Sequence, residues 1–139
     1  MMKYYLSLGS NLGDREQTIQ QALGMIEQQI GHVLRCSSYY YSAPWGFAST
    51  NSFCNICCSV ESEMSPLELL AATQAIERAL GRTHKSQNGQ YQDRTIDIDI
   101  ILAFEGERQL EWQSAELQIP HPLWAERDFV KVPLEEIMQ

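Results

Sequence analysis

The chain has 139 residues, with 10 Lys+Arg against 18 Asp+Glu and a formal net charge of −8. That length suits one domain, since domains usually run ~100–150 residues, and a hydrophobic content of 44% is ordinary for a globular protein. Disordered and collagen-like architectures are excluded. The acid excess argues against a nucleic-acid binder, which needs a basic footprint, and against a basic membrane-surface patch. The apolar run at the N-terminus is too short for a signal peptide, and no stretch reaches the ~18 apolar residues of a spanning helix. A cytoplasmic protein is expected, with Cys36, Cys54, Cys57 and Cys58 reduced. Cys54 and Cys57 have the spacing of a zinc or redox pair, but no second ligand pair accompanies them, and core packing is the preferred reading.

In chain order, residues 3–8 alternate Tyr and Leu as a strand. Residues 9–14 form a turn cluster, and Ile19, Ala22, Leu23, Ile26 and Ile30 follow helical spacing up to Gly31. Residues 32–42 read as a second strand, 43–51 as a loop and 52–62 as a third strand. Ser65-Pro66-Leu67-Glu68 is a capping box with Pro at the first helical position. Its helix runs through Leu67, Leu70, Ile76 and Leu80 and stops at Gly81. Residues 83–93 are polar and unpatterned, and a loop that long is usually functional or disordered. Residues 95–103 are the clearest strand. The remainder is irregular, with a short strand expected around Phe129 and Val130. The order β-α-β-β-α-β is the split-βαβ, ferredoxin-like arrangement. The expectation is one α+β domain over residues 1–139, a sandwich with a long mobile loop before its acidic strand.

The charge is unevenly distributed. Residues 1–77 carry 3 basic and 7 acidic groups, and residues 95–139 carry 3 and 10. Between them, Arg78, Arg82, Lys85 and Arg94 face Asp93 alone. A helix C-terminus explains Arg78 but not Lys85 or Arg94. The basic island directly precedes Thr95-Ile96-Asp97-Ile98-Asp99-Ile100-Ile101. Strand alternation sends Ile96, Ile98 and Ile100 to one face. Asp97 and Asp99 go to the other, with Cα atoms ~7 Å apart. Two such carboxylates repel unless a cation lies between them. A solvated strand face is the plain alternative, but Asp is depleted in strands. Hard oxygen ligands suit Mg²⁺ shared with a substrate phosphate, and two ions fit this spacing. Arginines beside a metal-binding pair are what phosphoryl transfer uses, and a loop carrying them can close over substrate.

In the third strand, Cys54, Ile56, Cys58 and Val60 make one apolar face, while Phe53 and Asn55 share the other. An aromatic and an amide two apart can stack on and hydrogen-bond a flat heterocycle; alone, the pair reads better as a half-exposed Phe beside a surface Asn. The segment Gly9–Gly13 lacks the Gly-Lys-Ser/Thr ending of a Walker loop. His121 sits between Pro120 and Pro122, downstream of the acidic strand.

Several stretches together resemble the 6-hydroxymethyl-7,8-dihydropterin pyrophosphokinase family. They are Leu8-Gly9-Ser10-Asn11-Leu12-Gly13-Asp14, Pro44-Trp45-Gly46, Phe53-Cys54-Asn55, Gln74-Ala75-Ile76-Glu77, Gly81-Arg82, Arg94-Thr95-Ile96-Asp97-Ile98-Asp99, Ile119-Pro120-His121-Pro122 and Arg127-Asp128-Phe129-Val130. The resemblance implies a ferredoxin-like fold and transfer of pyrophosphate from ATP to the pterin hydroxymethyl group in folate biosynthesis. It implies that Asp97 and Asp99 hold two Mg²⁺ ions and that Arg82 and Arg94 assist the transfer. It implies a pterin ring between Phe53 and Phe129, read by Asn55 and the backbone of Ser42, Ala43, Pro44 and Trp45. Gln74, Glu77, His121 and Arg127 would line the ATP site, with His84, Lys85, Tyr91 and Ile100 completing it. Small molecules are then the only partners expected, with no nucleic acid, no membrane and a monomeric chain.

Some positions depart from the family's pattern. His84 stands where Arg is usual, Tyr91 about where the loop has Trp, and Asp93 in place of Pro. Glu116 and Gln118 stand where an ATP-contacting Arg and Thr can occur. Fewer cations would weaken ATP binding, so a catalytically weak homologue that binds pterin or nucleotide is the competing reading. The metal pair and both arginines remain, and an active enzyme is expected.

Overall fold

A computed structural model describes residues 1–42, 52–81 and 96–138. The strands are β1 (Met2–Ser10), β2 (His32–Cys36), β3 (Tyr40–Ser42), β4 (Phe53–Ser62), β5 (Asp97–Glu105), β6 (Arg108–Gln109), β7 (Trp112–Gln113) and β8 (Gln118–Ile119). The helices are α1 (Arg15–Gln29), α2 (Pro66–Ala79) and α3 (Asp128–Ile137). β1 is central, pairing antiparallel with β4 on one side and β5 on the other. The strand order is β2-β4-β1-β5-β6, with β3 also on β4, and β7 and β8 pair separately.

The two faces of the sheet are covered differently. Tyr4, Leu6 and Leu8 of β1, Cys54, Ile56, Cys58 and Val60 of β4, and Ile98 and Ile100 of β5 pack against α1 and α2. α1 contributes Ile19, Ala22 and Ile26, and Asp14 caps it by accepting the Gln17 N–H at 3.2 Å. The expected capping box opens α2: Ser65 N–H donates to Glu68 Oε1 at 2.9 Å, and Glu68 N–H to Ser65 Oγ at 3.3 Å. The buried stripe of α2, however, is Leu69, Thr73 and Ile76, while Leu67 is 41% exposed. Thr73 disguises the stripe in the sequence. Its hydroxyl donates to Leu70 O at 2.9 Å, so a polar residue is buried with its partner nearby.

On the opposite face, Tyr5, Cys57, Ile101 and Leu102 meet Val130, Leu134 and Ile137 of α3. This corrects the short strand expected around Phe129 and Val130. The stripe Val130, Pro133, Leu134, Ile137 has helical spacing. Pro133 lies inside the helix and, among the described residues, no side chain caps its N-terminus. An internal Pro costs ~3 kcal/mol or more. Burying Val130, Leu134 and Ile137 returns about 1.5–3 kcal/mol each, so packing on the sheet outweighs the local disfavour.

Two further boundaries differ from expectation. β1 continues through Gly9 and Ser10, where the sequence predicts a turn. The single strand expected at 32–42 is interrupted at residues 37–39. There Glu136 Oε2 accepts the Ser38 N–H at 2.8 Å, diverting it to α3. Among the described residues, no helix is long and apolar enough to cross a membrane.

Candidate active site

The pairing register builds one face of the sheet row by row. Asp97 lies opposite Gly9 of β1, and Gly9 lies opposite Asn55 of β4. In the next row on that face, Asp99 is opposite Ser7, which is opposite Cys57. Residues directly opposite share a face, and neighbouring strands lie ~4.8 Å apart. Asp97 and Asn55 therefore sit on one surface with their backbones roughly 10 Å apart. Asp97 and Asp99 are half-buried while Ile96, Ile98 and Ile100 are in the core, the alternation expected of this strand.

Gly9 is what lets the Asn55 amide lie down. A Cβ at position 9 would collide with Asn55 Oδ1 and touch Phe53 Cδ1 at 3.8 Å. The sequence reading missed this role. Its signal was parity: Leu6 and Leu8 face the helices, so Gly9 falls on the other side with Ser7. Asn55 is 4% exposed, and its Nδ2 has no hydrogen-bond partner among the described residues. Ser42 Oγ, on the residue paired with Phe53, is likewise buried and unpartnered among them. Buried polar groups are seldom left unsatisfied, and two on the mouth of one face fit a polar ligand edge.

α3 brings Phe129 to this same face. Phe129 packs against the cluster of Tyr5, Cys57 and Ile101, and Cys57 Sγ donates to Val130 O at 3.6 Å. The Arg127 guanidinium lies 5.9 Å from the Phe129 ring centre. Phe53 and Phe129 thus come from β4 and α3 onto one surface.

Two segments meet β5 before it reaches β6. Ile98 N–H donates to Glu77 Oε2 at 2.7 Å, and Glu77 is 5% exposed. His121 N–H donates to Ile101 O at 3.0 Å. Gln74 is exposed one turn before Glu77 on α2. Leu123 N–H donates to His121 Nδ1 at 3.3 Å, so the neutral ring carries its proton on Nε2. Burial lowers the His121 pKa, Arg127 lowers it further, and Asp97 opposes both. His121, Arg127 and Asp97 therefore share one electrostatic neighbourhood.

Asp97 and Asp99 are the oxygen donors suited to a divalent cation. Among the described residues, no group of three His, Cys, Asp or Glu has the geometry of a complete metal site. Mg²⁺ is commonly held by one or two carboxylates together with substrate phosphates and water. Cys54 and Cys57 point to opposite faces of β4 and are both buried, so they pack separate cores. Ala43, Pro44, Trp45, Arg82, His84, Lys85, Tyr91 and Arg94, together with the loop expected before β5, lie outside the described residues. Glu116 and Gln118 are exposed.

Comparison with known proteins gives the family. The family model for 7,8-dihydro-6-hydroxymethylpterin-pyrophosphokinase matches residues 5–139. A 2-amino-4-hydroxy-6-hydroxymethyldihydropteridine pyrophosphokinase of Porphyromonas gingivalis is 48% identical over 133 residues, covering 96% of this chain and 88% of the relative. The protein of the same name from Bacillus subtilis is 40% identical over 136 residues, covering 97% and 77%. A crystal structure of HPPK-DHPS in complex with substrates superposes with a TM-score of 0.74 at 14% identity. The match covers 99% of this chain, which spans 40% of that longer one. At that identity the likeness is one of fold.

Proposed function

Because the chain belongs to the 7,8-dihydro-6-hydroxymethylpterin-pyrophosphokinase family, we propose that the face carrying Asp97, Asp99 and Asn55 is where its reaction occurs. The chain is an ATP-dependent diphosphokinase of folate biosynthesis, transferring pyrophosphate to the hydroxymethyl group of the dihydropterin. The pterin hydroxyl oxygen bonds to the β-phosphorus of ATP and gives up its proton to solvent, the bond from that phosphorus to the oxygen leading to the α-phosphorus breaks, and AMP leaves with that oxygen.

The observation that carries the assignment is the row Asp97–Gly9–Asn55, an acid pair on one surface with an amide whose Nδ2 has no partner among the described residues. Phe53 and Phe129 would stack on the pterin faces. Asn55 Nδ2 and Ser42 Oγ would meet its polar edge, with the backbone of Ala43, Pro44 and Trp45. Asp97 and Asp99 would hold two Mg²⁺ ions, which neutralise phosphate charge and polarise the phosphoryl oxygens. His121 would donate from Nε2 to a phosphate oxygen, and Arg127 would add a guanidinium to the same charge. Gln74, Glu77, His84, Lys85 and Tyr91 would complete the ATP site, with Ile100, whose side chain is in the core, offering only its backbone. Arg82 and Arg94 would stabilise charge that develops during transfer.

The order β2-β4-β1-β5 with α1 and α2 on one face supports a ferredoxin-like βαββαβ frame in a single domain over residues 1–139. A cytoplasmic monomer acting on small molecules belongs to the same proposal.

The test is incubation with ATP, Mg²⁺ and 6-hydroxymethyl-7,8-dihydropterin, following AMP against ADP. AMP formation is expected, and its loss in Asp97→Ala and Asp99→Ala with the fold intact. Full turnover in either variant refutes the two-ion assignment.

A further inference from the structure

The strongest unassigned polar network on the described surface belongs to Arg15, the first residue of α1. Its Nη1 donates to Ser52 O at 2.9 Å and to Ser52 Oγ at 2.7 Å. The same guanidinium lies 5.3 Å from the centre of the Tyr41 ring. Tyr41 Oη donates to Glu16 Oε2 at 3.2 Å, and Glu16 Oε1 is 3.8 Å from Arg15 Nε. Tyr41 immediately precedes Ser42, and Ser52 immediately precedes Phe53. Ser42 and Phe53 are paired across β3 and β4. One guanidinium therefore grips both chain ends beside the proposed pterin edge.

We infer that Arg15 is a positioning residue for the pterin, holding Ser42 and Phe53 in register from outside the binding face. This rests on the reading of that face as the pterin site. Arg15 suits the task because its planar fork donates in fixed directions while its face lies on an aromatic ring. Lys offers neither. Asp14 caps the helix that carries it, so Arg15 reaches outward from a fixed backbone. Without the strap, the two strand ends explore more conformations, and the pterin must order them when it binds. The ATP residues on α2 and at His121 are not touched by this network, so the effect is specific to one substrate.

The test is steady-state kinetics of Arg15→Ala, Arg15→Lys and Ser52→Ala, with each substrate varied in turn. Loss of charge-assisted hydrogen bonds is expected to raise KM for the pterin roughly tenfold in Arg15→Ala. KM for ATP, kcat and the thermal midpoint should stay near wild type. Arg15→Lys should recover only part of the loss, and Ser52→Ala should add little once Arg15 is gone. An unchanged pterin KM, or equal rises in both KM values, overturns the inference. If Arg15→Ala does not fold, Ser52→Ala decides alone, and a wild-type pterin KM there overturns it. Wild-type protein that forms no AMP refutes the functional reading itself and this inference with it.

Discussion

Glu77 and Ile98 are joined across α2 and β5: the Glu77 carboxylate accepts the Ile98 backbone N–H at 2.7 Å in a buried setting. Ile98 lies between Asp97 and Asp99, so this bond fixes the strand from which both carboxylates project. It also satisfies a backbone donor of β5 that would otherwise be buried and unpaired.

Glu77→Ala should therefore cost about 1–3 kcal/mol of stability, the penalty of an orphaned buried donor. Glu77→Gln keeps an oxygen acceptor and should lose much less. Urea unfolding of the two variants measures the difference. Equal losses would mean that the charge of Glu77, rather than its acceptor, matters.

Gly9→Ala should be destabilising by about 1–3 kcal/mol, as expected of overpacking in a close contact. The added Cβ meets the Asn55 amide, so that side chain must turn away from its place on the sheet. Combining Gly9→Ala with Asn55→Ala removes the obstacle and should restore most of the stability. A double variant no more stable than Gly9→Ala alone would place the strain elsewhere. Pterin binding should be lost in both, because each displaces or deletes the amide.

His121 makes stability fall on the acid side. Its folded pKa is lowered from the usual 6.5, by burial first and by Arg127 second. The unfolded ring then takes up a proton as pH drops through about 6.5, while the folded ring resists it. The unfolded state binds more protons there, so stability is full above that pH and declines below it. His121→Gln should flatten this acid limb in a series of thermal midpoints from pH 8 to 5. An unchanged slope would show that other groups produce it.

The thiols should divide by exposure. Cys36 is exposed, whereas Cys54, Cys57 and Cys58 are buried. Burial pushes the Cys57 thiol up to about 12 and the Cys58 thiol well above its ordinary value. Cys36 is raised as well, also by burial, so its reaction should be slower than that of a free cysteine. Native protein should consume one equivalent of a thiol reagent and denatured protein four. Rapid native labelling of Cys57 would contradict the packing of α3 on the sheet.

The sequence by itself determined what depends on neighbours a few residues away. Ser65 and Glu68 declare the start of α2 because a capping box closes within one turn. Asp97 and Asp99 declare a shared face because strand side chains alternate with period two. The tertiary structure decided what depends on burial against a distant partner. α3 has no capping side chain and holds Pro133, so its local signals oppose a helix, and it exists because Val130, Leu134 and Ile137 find Tyr5, Cys57 and Ile101 to bury. Gly9 and Asn55 touch only because β1 and β4 pair in that register, and a shift of one residue would turn Asn55 into the core. The acid pair was legible because its geometry is local. The surface on which it faces an amide and two aromatic rings is assembled from three strands and a helix, and only their packing brings those groups together.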